Sequence, residues 1–387
     1  MSESLKQQFL LDPQVAFLNH GSFGACPRPV FEAYQRWQLE LERQPVEFLG
    51  RRFTELMRQA REPLAAYLHT AADNLVYVPN ATVGLNIAAR SLRLQPGDEV
   101  LSTNHEYGAL DRTWRFLCDR WGAVYKNQPI PVPLPTEADF VEALWAGVTP
   151  RTRVIFLSHL TSPTALIFPV QAVCRRARAE GLLTIVDGAH TVGQLPLALD
   201  ELGADVYASN NHKWLCAPKG SAFLYVRPEI QPVIEPLVVS WGWQSLAPGP
   251  SRFVDEQEWS GTRDIAAYLA TPAAIEFMAR HHWDEVRAAC HALAVATWQN
   301  LLALTGLPAL SDASGFAQLF VVPLPPCDWA TLKTRLYDEF KVEAPVFQWE
   351  DHYLIRVSVP GYVTRADTDR LVTALKILLP QVQKVVE

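Results

Sequence analysis

An aspartate and a lysine stand 26 residues apart in the stretch LLTIVDGAHTVGQLPLALDELGADVYASNNHKWLCAPKGSAFLYV, residues 182–226. Asp187 closes one apolar run, and Lys213 follows a second within the polar segment NNHKW. A Pro-Lys-Gly turn and a third apolar run come next. A lysine amine delivered at a strand end can form an imine with an aldehyde. A carboxylate at a neighbouring strand end can keep a pyridine nitrogen protonated, so that the ring draws electrons from a substrate. The pair therefore fits pyridoxal phosphate chemistry. Such a lysine must be partly neutral near pH 7, and burial beside a cationic ring supplies that shift.

Other segments offer the remaining groups. A phosphate is best held at a helix N-terminus, and VYVPNATVGLNIAARSL places Asn80-Ala81-Thr82 between a strand and a helix. The Ala81 amide and Thr82 are the natural donors, with Asn210 and His212 completing the cradle; Thr82 also suits an N-cap. In TNHEYGALDRTW, Tyr107 or His105 can stack on the ring or pack in the core. In SHLTSP, Ser162 or His159 can meet the phenolic oxygen, as can His190. Arg356, in YLIRVSV, lies on the strand face opposite Ile355 and Val357. An arginine there needs a partner, either a substrate carboxylate or a protein acid. Asn19, His20 and Gly21, in FLNHGSFGACP, line a site or simply begin the fold.

Positioning these groups requires strand ends brought side by side. Short apolar runs at 75–79, 99–102, 123–126, 153–158, 182–186, 205–208 and 221–226 alternate with helical segments such as 82–93 and 170–180. That alternation predicts an α/β fold with a largely parallel sheet and ligands beyond the strands' carboxyl ends. Residues 28–69 read as helical, with Pro45 dividing them into two helices. Residues 266–305 read as a helix leading into a smaller C-terminal α+β unit, with a further helix at 328–340. The segment 241–263 reads as a long loop joining the two parts. The expected division is a large domain at 15–262 and a small domain at 263–387, with residues 1–14 nearby.

Composition narrows the setting. The 387 residues are 49% hydrophobic and 19% charged, enough for a large core in two domains, and a net charge of -7 gives nucleic acid no purchase. No run reaches the roughly 18 apolar residues of a membrane helix. The N-terminus lacks a basic start followed by an apolar core, so no secretion signal is expected. Six cysteines without a CxxC pair favour reduced thiols in the cytoplasm over disulfides or a metal site.

Taken together, these motifs resemble the class V aminotransferase family of fold type I pyridoxal phosphate enzymes, over about residues 15–365. DGAH is similar to the family's aspartate motif, NNHKWLCAPKG to its lysine segment, NAT to its phosphate-binding segment, and SHLTSPT to the segment whose asparagine position falls on Ser162. EYGALD places Tyr107 where the ring-stacking histidine usually sits, and IRVSVPGYVT resembles the carboxylate-binding segment, with Arg356 as its arginine. LNHGSFG, HEYGA and HKWLCAPKG look most like the isopenicillin N epimerase-like branch. The resemblance implies the aspartate aminotransferase-like fold and a homodimer with shared sites. WSGTRD resembles the loop that reaches the neighbour's phosphate, through Thr262 and Arg263. It also implies a nucleophilic cysteine for cysteine desulfurases, and 340–353 contains none.

The implied reaction begins with Lys213 removing the α-proton of an amino-acid substrate whose carboxylate Arg356 fixes. Epimerisation or racemisation then needs a second acid–base group, for which Tyr107, His105 and His20 are the candidates. C–S lysis needs a leaving group at the β-carbon, and transamination shares the first step. A non-catalytic cofactor-binding protein is the alternative of another class; a dinucleotide-binding oxidoreductase is disfavoured because no GxGxxG follows the early strands.

Overall fold

The computed structural model describes residues 3–383. Seven strands form the main sheet: β1 (Leu75–Val78), β2 (Glu99–Thr103), β3 (Val124–Gln128), β4 (Thr152–Ser158), β5 (Leu183–Asp187), β6 (Val206–Ser209) and β7 (Ala222–Val226). Their order across the sheet is β1-β7-β6-β5-β4-β2-β3. β7 runs antiparallel to both neighbours, and the remaining pairings are parallel. The five strands from β1 to β7 that lie inside the sheet are apolar on both faces because helices cover both.

Side-chain alternation divides the core accordingly. Val76, Val78, Phe156, Ile185 and Leu224 face one layer with helices Ala81–Ser91 and Gly108–Trp121. Leu75, Tyr77, Leu157, Val186 and Phe223 face the other, with helices Phe53–Tyr67 and Val170–Ala179. β3, whose sequence is VYKNQ, is an edge strand and is correspondingly half exposed.

A second sheet is antiparallel, in the order β9-β10-β8, made of β8 (Leu319–Leu324), β9 (Val346–Trp349) and β10 (His352–Ser358). Helices Trp283–Thr305, Trp329–Phe340 and Arg365–Val382 accompany it. The chain's beginning belongs beside this unit. Ala16–Phe17 pairs with Val342–Glu343, and Ser358 donates its amide to the Leu18 carbonyl at 2.8 Å.

Two expected elements differ. The region 266–305 is three helices, Ala266–Leu269, Thr271–Arg280 and Trp283–Thr305. Pro272 starts the second, and His282, in the left-handed conformation at φ 49°, separates the second from the third. The segment 241–263 is not all loop, because Arg252–Glu258 is helical. Ser251 caps it by accepting the Val254 amide, a signal the surrounding prolines and glycines obscure. The expected break near Pro45 does occur, with helix Arg28–Arg43 ending before it.

Candidate active site

Four strand ends converge on one cavity of about 730 Å³. Its lining includes Thr82, Tyr107, Ser158, Asp187, Lys213 and Arg356. Lys213 arrives from the turn after β6, and Asp187 is the last residue of β5. Two glycines let the chain approach that lysine turn. A Cβ on Gly24, at φ 71°, would stand 1.9 Å from the His212 carbonyl oxygen, and one on Gly193 would stand 2.3 Å from that of Trp214. Both positions exclude other residues.

The lysine is primed as a neutral amine. Burial lowers Lys213 to about 7, the Arg356 charge adds to that shift, and Asp187 opposes it. Its Nζ lies 3.4 Å from His190 Nε2. Trp214 donates its indole N–H to His190 Nδ1, also at 3.4 Å, which leaves the imidazole hydrogen on Nε2, facing the lysine. Burial, reinforced by Lys213, holds His190 well below the usual histidine range. Burial raises Asp187, opposed by the Ala189 amide and by Lys213. That amide donates to Asp187 Oδ1 at 2.8 Å.

Helix Ala81–Ser91 presents its N-terminus to the cavity. Asn80 is the cap, accepting the Val83 amide at 2.9 Å, so Thr82 is not needed for capping. The first-turn amide and hydroxyl of Thr82 therefore suit a phosphate. The Ala81 amide is already given to Asn210 Oδ1 at 2.9 Å. This corrects the expectation that Ala81 donates directly. Asn210 instead holds the helix start in place. His212 lines the cavity while its Nδ1 bonds the Ser221 carbonyl, and burial lowers it to about 4.

The opposite wall is built around Arg356, buried on β10. Its Nη1 donates to the Ser162 carbonyl and hydroxyl at 2.6 and 3.1 Å, and its Nη2 to Ser22 Oγ at 3.3 Å. Ser162 thus serves the arginine, where the sequence pointed to the cofactor's phenolic oxygen. No acid pairs with Arg356 among the described residues, and its Nε has no partner there. Burial lowers the guanidinium to about 10, so it stays cationic at neutral pH. A buried cation without an acid costs several kcal/mol, on the order expected of any unpaired interior charge, and a carboxylate ligand would relieve that cost.

Four expected site residues are spoken for elsewhere. His105 is buried, with Nδ1 accepting from the Thr164 hydroxyl at 2.8 Å and Nε2 donating to the Ile130 carbonyl at 3.0 Å. Burial lowers it to about 4, and it packs 4.6 Å from the Trp349 ring. With both nitrogens engaged it is a structural residue, not an acid–base group. His20 is likewise saturated, by the Tyr362 hydroxyl at 3.1 Å and the Lys213 carbonyl at 2.9 Å, and burial lowers it to about 3. Asn19 donates to Glu343 and accepts from the Ser22 hydroxyl at 2.6 Å, so it orients Ser22 and does not line the cavity. His159 is also removed, because its Nδ1 bonds the Tyr207 hydroxyl at 2.9 Å.

Tyr107 does line the cavity. It stands at the start of helix Gly108–Trp121, 45% exposed, near enough to Arg356 to favour its charge. Thr262 is exposed and does not line this cavity. Ser22, Phe23 and Trp214 went unrecognised in the sequence. The signal for Ser22 was present, since it is the hydroxyl residue in the Gly-rich turn HGSFG.

The donor set fits pyridoxal phosphate, with an amine, a buried carboxyl, the Thr82 amide and hydroxyl, and an arginine short of an acid among the described residues. No helix of the described residues is long and apolar enough to cross a membrane.

The Aminotransferase class-V family model matches residues 25–371. Isopenicillin N epimerase of Amycolatopsis lactamdurans is 37% identical, over 96% of this chain and 97% of its own length. A probable chloroplastic L-cysteine desulfhydrase of Arabidopsis thaliana is 28% identical, over 87% of this chain and 75% of its own. The solved structure of a C-DES variant with glycine covalently linked to its PLP cofactor superposes with a TM-score of 0.84 at 22% identity, over 96% of this chain and 99% of that one, which establishes the shared fold. The chain thus belongs to the class V aminotransferase family, with the fold type I architecture and pyridoxal 5'-phosphate as its cofactor.

Proposed function

We propose that this protein is an isopenicillin N epimerase-like enzyme that inverts the α-carbon of an amino acid or amino-acid-derived substrate. Bound pyridoxal phosphate supplies an aldehyde that couples to amines and a ring that accepts electron density from the α-carbon. The chain's own residues do the rest. Arg356, steadied by Ser162 and Ser22, takes the substrate carboxylate. Lys213, partly neutral near pH 7, removes the α-proton. Asp187 would bear the negative charge that keeps the ring nitrogen protonated, and His190 would offer its Nε2 hydrogen to the phenolic oxygen. Thr82, with Asn210 and His212 behind it, receives the phosphate.

The observation that carries this reading is Arg356, a buried guanidinium with no acid partner among the described residues, placed across one cavity from a buried lysine that is partly neutral near pH 7. Inversion also needs a proton donor on the second face. His105 and His20 are saturated, which leaves Tyr107 for that role. A C–S lyase is the second reading, favoured by the desulfhydrase relative. It would proceed without an enzyme thiol, since no cysteine lines the cavity among the described residues. We also read the protein as a cytoplasmic homodimer. Thr262, exposed on its own subunit, would reach the partner's phosphate, helped by Arg263. The division into domains at 15–262 and 263–387 belongs to the same reading.

Incubation of the loaded enzyme with single amino acids and peptides in deuterated water tests the reading. Deuterium uptake with inverted chirality is expected; ammonia, a keto acid or sulfide without inversion would favour the lyase. Tyr107→Phe should slow inversion at least about tenfold while leaving α-proton exchange from the Lys213 side nearly intact.

A further inference from the structure

Behind the cavity lies a carboxyl that none of these roles uses. Glu106 is buried at the carboxyl end of β2. Its Oε1 stands 2.6 Å from the Thr103 hydroxyl and its Oε2 2.6 Å from the Ser158 hydroxyl. No lysine, arginine or histidine pairs with it among the described residues. Ser158 is opposite Asp187 in the β4–β5 register, so two buried carboxyls share one corner of the site.

We propose that Glu106 is a positioning residue that holds the proton of this carboxyl pair, leaving Asp187 as the sole anion at the cofactor's ring nitrogen. The proposal rests on the reading that Asp187 meets that nitrogen.

Burial and the neighbouring charges decide which carboxyl keeps the proton. A hydroxyl both donates and accepts, so Thr103 and Ser158 can bond Glu106 in either form, and no cation nearby favours its ionisation. The Ala189 amide donates to Asp187 and favours its carboxylate. Asp187 also faces Lys213, whose positive form favours its ionisation, whereas Glu106 has no such support. Two like charges in one buried corner cannot both be cheap. The other titratable neighbours do not take the proton. Tyr125 on β3 is bonded to Asp111 of helix Gly108–Trp121 at 2.6 Å, and burial pushes its phenol far up, so it stays neutral. Burial pushes Glu106 up to about 8 against the bonds from Ser158 and Thr103, with Asp187 adding to the rise.

Infrared spectra and cofactor titrations of wild type and Glu106→Gln test this. The wild type should show a protonated-carboxyl stretch at pH 7 that disappears with a midpoint near 8, and Glu106→Gln should lack it. Cofactor affinity of Glu106→Gln at pH 7 should stay within about threefold of wild type. The pH titrations of the loaded proteins' visible band should coincide below pH 7 and separate only above about pH 8, where the wild type alone gains a second anion. A merely structural role would shift neither curve selectively at alkaline pH. Cofactor binding weakened tenfold or more at pH 7 in a folded Glu106→Gln would overturn the proposal, as would coincident titrations throughout. If that variant does not fold, the wild-type infrared titration decides alone, and absence of the band at pH 7 overturns the proposal. Asp187→Asn separates the underlying reading. If it leaves cofactor affinity and band unchanged, Asp187 does not serve the ring nitrogen, while the infrared result still places the proton.

Discussion

The floor and the wall of the cavity are made differently. The floor, Asp187 to Lys213, comes from one continuous βαβ stretch whose strands are neighbours in the sheet. The wall joins Ser22, Ser162 and Arg356, segments separated by up to 334 residues. Proton removal therefore rests on local structure that is hard to disturb. In the proposed reading substrate recognition rests on three separate segments, of which the one carrying Ser22 also packs against the Lys213 turn. The two parts still communicate through charge, because Arg356 is the second cause of the lowered Lys213 value.

The largest expected effect removes the floor. Lys213→Ala should abolish the visible cofactor band and reduce turnover by at least about 10³-fold, read by absorbance and steady-state rates. Breaking the wall should be milder and different in kind. Arg356→Gln should lower kcat/KM by about 10²-fold while cofactor affinity changes by less than about threefold, which equilibrium titration checks. If affinity falls in step with kcat/KM, floor and wall are not separable.

A pH series sharpens the charge link. Lys213 is protonated below about 7 and neutral above, so capture of the cofactor by apoprotein should accelerate with rising pH through 7 and then level off. In Arg356→Gln the opposing cation is gone, so the inflection in stopped-flow rates should move upward. The smallest effect is expected from Ser162→Ala, about three- to tenfold in KM with kcat little changed, because Ser22 and the residue-162 carbonyl still hold the guanidinium.

The same contrast explains what the sequence disclosed. The floor was readable because both determinants, apolar runs and the polar groups ending them, are local. All seven main-sheet strands lie within a residue or two of the expected spans. The wall was readable at Arg356, whose position among apolar neighbours demanded a partner, and at Ser162, though as a contact of the cofactor. Which partner was decided by residues hundreds of positions away, and Ser22 went unseen. His105 and His20 were misplaced for a related reason. A histidine near a strand end or a Gly-rich turn looks reactive until the tertiary fold supplies Thr164 and Ile130, or Tyr362 and the Lys213 carbonyl, to occupy both nitrogens. Helix 266–305 was overextended because apolar periodicity continues across His282, whose left-handed backbone no periodicity reveals.

The tight approach at Gly24 has a practical side. The segment it belongs to is fastened to the small sheet through Ala16–Val342 and Ser358–Leu18, and at its other end it presses on the backbone that carries Lys213. The start of this chain is therefore a keystone and a poor place to graft. Shortening the chain past Ala16, or inserting residues between 16 and 24, should disable the lysine turn while the seven-stranded sheet still folds, so activity would fail long before solubility warned of it.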